Sequence, residues 1–126
     1  MEKPGELSVN RQSERQLAEQ LRACNAVSAR FGLTLSETAI ASLSQARSEA
    51  LAETGRVEFG GSAVPKIVDA FCDSPYLLQD EYEETLRTLT DAFYTYKNET
   101  RDLLTDDELL GRMRARYDAY EGAIEA

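Results

Sequence analysis

The 126-residue chain has no histidine and no tryptophan, two cysteines and three prolines. The missing histidine removes the commonest general base and the commonest metal ligand. Zinc centres built on imidazole or on clustered thiolates are excluded, because Cys24 and Cys72 are far apart in the chain and stand alone. With no secretion signal in view, the two are expected as buried free thiols rather than as a disulfide. Long apolar runs are missing too, and none approaches the roughly 20 residues that span a bilayer. Met1-Glu2-Lys3-Pro4-Gly5-Glu6 is not followed by the apolar stretch of a signal peptide. The expectation is a cytoplasmic protein with no membrane partner and no cofactor.

What is present is acid. The net charge is −9, and it is unevenly placed. The segment Asp69–Glu108 holds 12 of the 23 acids and three of the 14 bases, so the whole excess lies there and the remainder is neutral. That balance opposes nucleic-acid phosphate and anionic membranes as partners. A solvated helical face accounts for it most simply, and a basic protein surface or a cation is also compatible. Apolar residues make up 42%, enough for the packed core of one domain.

Periodicity predicts an all-α fold, a small bundle of about five helices with one short extended segment near 56–59. Residues 1–9 read as a flexible start, 10–122 as the single helical domain and 123–126 as a frayed end. A first helix over about 11–30 carries Leu17, Leu21, Cys24, Val27 or Ser28, and Phe31 at helical spacing, and Gly32 closes it. Ser36 caps a second, with Leu35 and Ile40 as a staple, and Gly55 ends it. A short third helix from about Ser62 has Pro65 in its first turn. A fourth starts near Asp80, with Glu83 as a capping-box partner, and carries the stripe Tyr82, Leu86, Leu89, Phe93 and Tyr96. A fifth opens on Thr105-Asp106-Asp107-Glu108, an S/T-x-x-E capping box. Its inner face reads as Leu109, Leu110, Met113, Tyr117 and Tyr120. The stretch Arg56-Val57-Glu58-Phe59 alternates like a strand, but the second helix separates it from Leu33-Thr34-Leu35 by roughly 27 Å. It is expected as a linker, the other option being a pairing across a dimer.

Three patterns invite chemistry. Glu81-x-x-Glu84 followed by Glu99-x-x-Asp102 has the spacing by which all-helical nucleotide pyrophosphohydrolases gather four carboxylates around magnesium. Both pairs fall on one predicted helix, roughly 27 Å apart, so they share a metal only if that helix breaks. Cys72-Asp73-Ser74 has no base beside it, and Gly60-Gly61 ahead of the third helix lacks a full phosphate-loop fingerprint. Arg112, Arg114 and Arg116 are the only basic cluster, and they lie beside Asp118 and Glu121, which disfavours nucleic acid. Apolar residues in predicted connections remain: Val57, Phe59, Tyr76 and Leu77 either plug the bundle or form a sticky surface.

Several strings resemble a known family. Gly55-Arg56-Val57-Glu58-Phe59-Gly60-Gly61, Pro65-Lys66-Ile67 and Ala70-Phe71-Cys72-Asp73-Ser74-Pro75-Tyr76 are similar to an uncharacterised bacterial family, the domain of unknown function 6323. Phe93-Tyr94-Thr95-Tyr96-Lys97-Asn98-Glu99 and Leu104-Thr105-Asp106-Asp107-Glu108-Leu109 extend the likeness. The resemblance implies no catalytic residue, because that family has no established function. Ser62 stands where the family pattern commonly has glycine.

These readings lead to a non-enzymatic protein–protein interaction module, as a homodimer or with another protein. Val57, Phe59, Tyr76 and Leu77 are its expected anchors, and Glu81, Glu84 and Asp91 supply charge. The alternative is a magnesium-dependent nucleotide hydrolase or small-ligand binder using Glu81, Glu84, Glu99 and Asp102.

Overall fold

The computed structural model describes residues 4–58 and 61–123, with side chains from Glu14 onward. Five α-helices form a bundle, with no strand among the described residues: α1 (Pro4–Ser28), α2 (Glu37–Thr54), α3 (Val64–Phe71), α4 (Tyr82–Glu99) and α5 (Asp106–Ala119). Two short 3₁₀ turns, Ala29–Phe31 and Gln79–Glu81, continue α1 and lead into α4. No described helix is long and apolar enough to cross a membrane.

Helix ends follow their capping chemistry. The Ser36 side chain accepts from the Ala39 N–H, and Gly55 closes α2 in the left-handed conformation at φ 65°. Thr105 and Glu108 form the full capping box of α5. The start of α4 departs from expectation, for no side chain caps it. The Gln79–Glu81 turn takes that place, with the Glu81 N–H bonded to the Leu78 carbonyl, so no Asp80–Glu83 box forms. α1 reaches back to Pro4, well before the expected start near Arg11. Proline suits that first position because its missing N–H would have had no helical partner. The expected frayed end falls largely on 124–126, outside the described residues.

The core is continuous. Leu17, Leu21, Leu43, Ile67, Phe71, Leu86 and Phe93 are all essentially inaccessible. On α1 it is Ser28 that is buried, while Val27 and Phe31 face outward. The Ser28 hydroxyl tolerates burial because it donates to the Leu33 carbonyl at 2.7 Å. Tyr120, expected inside, is half exposed and packs under the Arg116 guanidinium.

The extended segment Leu33–Ser36 has no strand partner, yet the backbone groups of Leu33, Thr34 and Leu35 are all bonded. The Asn25 amide bonds both backbone groups of Leu35, at 2.7 and 3.0 Å. The Gln79 amide does the same for Thr34, at 2.9 and 3.1 Å. Two side chains therefore do what neighbouring strands would do.

The largest helix contact is between α2 and α4. Three links fix its sense: Thr34 to Gln79, Ser42 to Arg87, and Arg56 to Asp102. Their sequence separations are 45, 45 and 46 residues. An offset that changes by only one residue from end to end means that the two helices, each 18 residues long, run parallel.

Candidate functional site

Two constellations emerge once the helices are assembled. The first is polar. Glu58, in the α2–α3 connection, receives the Arg47 Nε at 2.6 Å on one oxygen. Its other oxygen receives the Tyr94 hydroxyl and the Ala63 N–H, the latter at 3.1 Å. The Arg47 and Glu58 side chains are only 13% and 15% exposed. Burial, and then the Glu58 carboxylate, hold the Tyr94 phenol protonated far above its ordinary range. Both Glu58 oxygens are engaged within the protein, so this cluster anchors the connection between α2 and α3 rather than presenting a reactive group. Glu58 carried no sequence signal, because its partners come from α2, α3 and α4.

The second is a groove between α4 and α5. Its volume is about 310 Å3. Leu89, Ala92 and Tyr96 line it from α4, and Leu109, Met113 and Tyr117 from α5. Thr100 and Leu104 close one end, and Ala123 borders the other. Arg112 and Arg116 stand on the α5 side of the lining, one helical turn apart. Neither forms an ion pair with a described acid. Arg114 between them turns the other way, binding Asp73, Asp118 and the Ala70 carbonyl. The basic cluster is thus split: one arginine ties α3 to α5, and two border the groove.

The apolar surface continues past both ends. Leu103, next to the lining Leu104, is 83% exposed. The connection that displays it is strained, since Arg101 and Asp102 adopt φ of 53° and 59°, a conformation costly for residues with a Cβ. The Arg56–Asp102 ion pair and the bond from the Asp102 N–H to the Lys97 carbonyl hold it there. Beyond the other end, Tyr120 is 53% exposed, with the Arg116 guanidinium 5.8 Å from its ring centre.

Of the residues expected as interaction anchors, the described ones, Val57, Tyr76 and Leu77, do not form one surface. Leu77 is buried in the core because it plugs the bundle beneath the α3–α4 connection. Val57 is exposed beside Arg56, whose partner Asp102 follows the end of α4. Tyr76 is partly exposed shortly before the start of α4, and its carbonyl accepts the Tyr117 hydroxyl. The length of α4 thus separates Val57 from Tyr76, roughly 27 Å for 18 residues. Phe59 lies outside the described residues. Glu81, Glu84 and Asp91 are exposed. The Arg56-Val57-Glu58 stretch is irregular rather than a strand, in keeping with a linker.

The carboxylates of the hydrolase pattern are not brought together. α4 runs unbroken from Tyr82 to Glu99, which puts Glu84 and Glu99 roughly 22 Å apart along it. Asp102 is engaged by Arg56. Among the described residues, no three His, Cys, Asp or Glu side chains are grouped to hold a metal ion. Both cysteines are buried free thiols. Burial, with Asp69 nearby, pushes Cys24 up to about 11, and burial also raises Cys72, so neither is a ready nucleophile at neutral pH.

No curated protein and no solved structure is significantly similar to this chain. The sequence profile of one family, described as a family of unknown function (DUF6323), matches residues 20–126. That match takes in α2 to α5 and the last third of α1, including the Glu58 cluster and the whole α4–α5 groove, and the chain belongs to this family of unknown function, DUF6323.

Proposed function

We propose that this domain is a non-enzymatic interaction module that docks a protein partner on its α4–α5 groove. The observation that carries this reading is the groove itself, an apolar trough bordered by two arginines that form no ion pair among the described residues and flanked by exposed Leu103 and Tyr120. Arginine and tyrosine around a desolvated apolar centre are the residue types that dominate binding energy in protein interfaces. The polar clusters elsewhere are satisfied internally, which is what a scaffold requires and a catalyst does not.

The test is a comparative pull-down. Tagged wild-type protein and an Ala92→Tyr variant, whose added ring fills the groove, are used to capture partners from lysate of the native host. Thr100→Tyr serves at the other end if Ala92→Tyr does not fold. Helical circular dichroism and a cooperative melt confirm folding. A stoichiometric partner retained by the wild type and lost by the filled variant supports the reading. A partner held equally by both, or none held by either, overturns it.

A further inference from the structure

Given the docking role proposed above, on which the identity of the occupant rests, the chemistry of the groove constrains what docks there. In a chain of net charge −9, arginines 22, 47, 56 and 114 each hold an acid within the fold. Arg112 and Arg116, like Arg15, Arg30, Arg87 and Arg101, form no ion pair among the described residues, although Arg112 lies within electrostatic reach of Glu108; what sets the two apart is that both line the groove, four positions apart on one helix face and so about 6 Å apart along it. Two guanidiniums at that spacing match carboxylates one turn apart on a facing helix. The apolar surface runs from Leu103, ahead of α5, to Tyr120 at its end, and the 14 residues of α5 alone cover about 21 Å. That is nearly four helical turns, longer than a small metabolite.

We propose that the groove binds an acidic amphipathic helix of a partner protein. Its apolar face, repeating at three and four residues, lies on Leu89, Met113 and their neighbours, and its Asp or Glu residues one turn apart pair with Arg112 and Arg116.

The experiment is selection of random 16-residue displayed peptides on the folded wild-type protein, with each enriched peptide re-measured by fluorescence anisotropy. The comparison proteins are Arg112→Gln/Arg116→Gln and Ala92→Tyr. Both arginines are exposed, so the double variant is expected to keep its fold, and circular dichroism checks this. Enriched peptides should carry apolar residues at helical spacing with flanking acids. Their binding should weaken at least tenfold on the double glutamine variant and be lost on Ala92→Tyr. Neutral or basic peptides that Ala92→Tyr abolishes would overturn the acidic-helix assignment and leave docking on the groove intact. Failure of Ala92→Tyr to affect any enriched peptide would overturn both. Dodecanoate bound in the groove with no peptide enriched would also overturn the assignment, giving the site to a small amphipathic carboxylate.

Discussion

Glu58→Ala is the most informative single substitution in this fold. It strips the acceptor from Arg47, from the Tyr94 hydroxyl and from the Ala63 N–H in one step. Removing one member of a buried ion pair costs about 3–5 kcal/mol, because the survivor is left charged and unpaired. Exposure of 13% and 15% for the two side chains lets some water in and puts the expected loss near the lower bound, about 3 kcal/mol. For a chain of this size that lowers Tm by about 10 °C. The assay is urea unfolding followed by circular dichroism, with stability extrapolated linearly to water. Arg47→Met and the double variant complete a cycle. Since the double variant buries no lone charge, its loss should fall short of the sum of the single losses by more than about 1 kcal/mol. A loss under about 1 kcal/mol for Glu58→Ala, or strict additivity in the cycle, would show that this carboxylate does not anchor the α2–α3 connection.

Two further outcomes concern the tyrosines. The Tyr82 hydroxyl is fully buried and makes no well-formed hydrogen bond among the described residues, the nearby Ser28 hydroxyl being committed to the Leu33 carbonyl, so Tyr82→Phe is expected to stabilise the fold by about 1 kcal/mol in urea unfolding; a loss of similar size would mean that Ser28 satisfies the phenol. Burial pushes the Tyr82 phenol up to about 12 and also raises Tyr94 and Tyr117 above their ordinary value. Raised folded values mean that this stability is fully present below the unfolded tyrosine value, near 10, and is lost as pH climbs from there toward about 12. The urea midpoint should therefore hold from pH 8 to about 10 and then decline, less steeply in Tyr82→Phe; a midpoint constant to pH 11.5 would contradict the burial argument.

The sequence was most readable where a structural cause is local. Ser36, Gly55 and the Thr105–Glu108 box mark helix ends because a cap involves residues within one turn. The α4 stripe was equally plain, with Tyr82, Leu86, Leu89 and Phe93 all buried. Legibility failed where the cause lies across the fold. Leu77, in a connection, could plug the bundle or serve as a surface anchor, and only the assembled bundle shows that it plugs the core. Glu58 carries no motif, because only the folded connection brings it against Arg47 of α2, the Ala63 N–H and Tyr94 of α4 at once. The groove left one usable trace, the four-residue spacing of Arg112 and Arg116. The triplet read as one cluster because nothing in it shows Arg114 turning toward Asp73 and Asp118.

The near-constant offset between α2 and α4 has a consequence for how such a chain can vary in length. One residue inserted near the middle of either helix rotates everything beyond it by about 100° and shifts it by 1.5 Å. Links on the far side of the insertion would then lose their partners, while those on the near side stayed aligned. One residue added in the connections on either side of α3 leaves the helices internally intact and is absorbed by loop. Length change is thus tolerated in the connections and penalised within the two parallel helices, so packing fixes the near-equality of the offset along them and leaves its value to the loops.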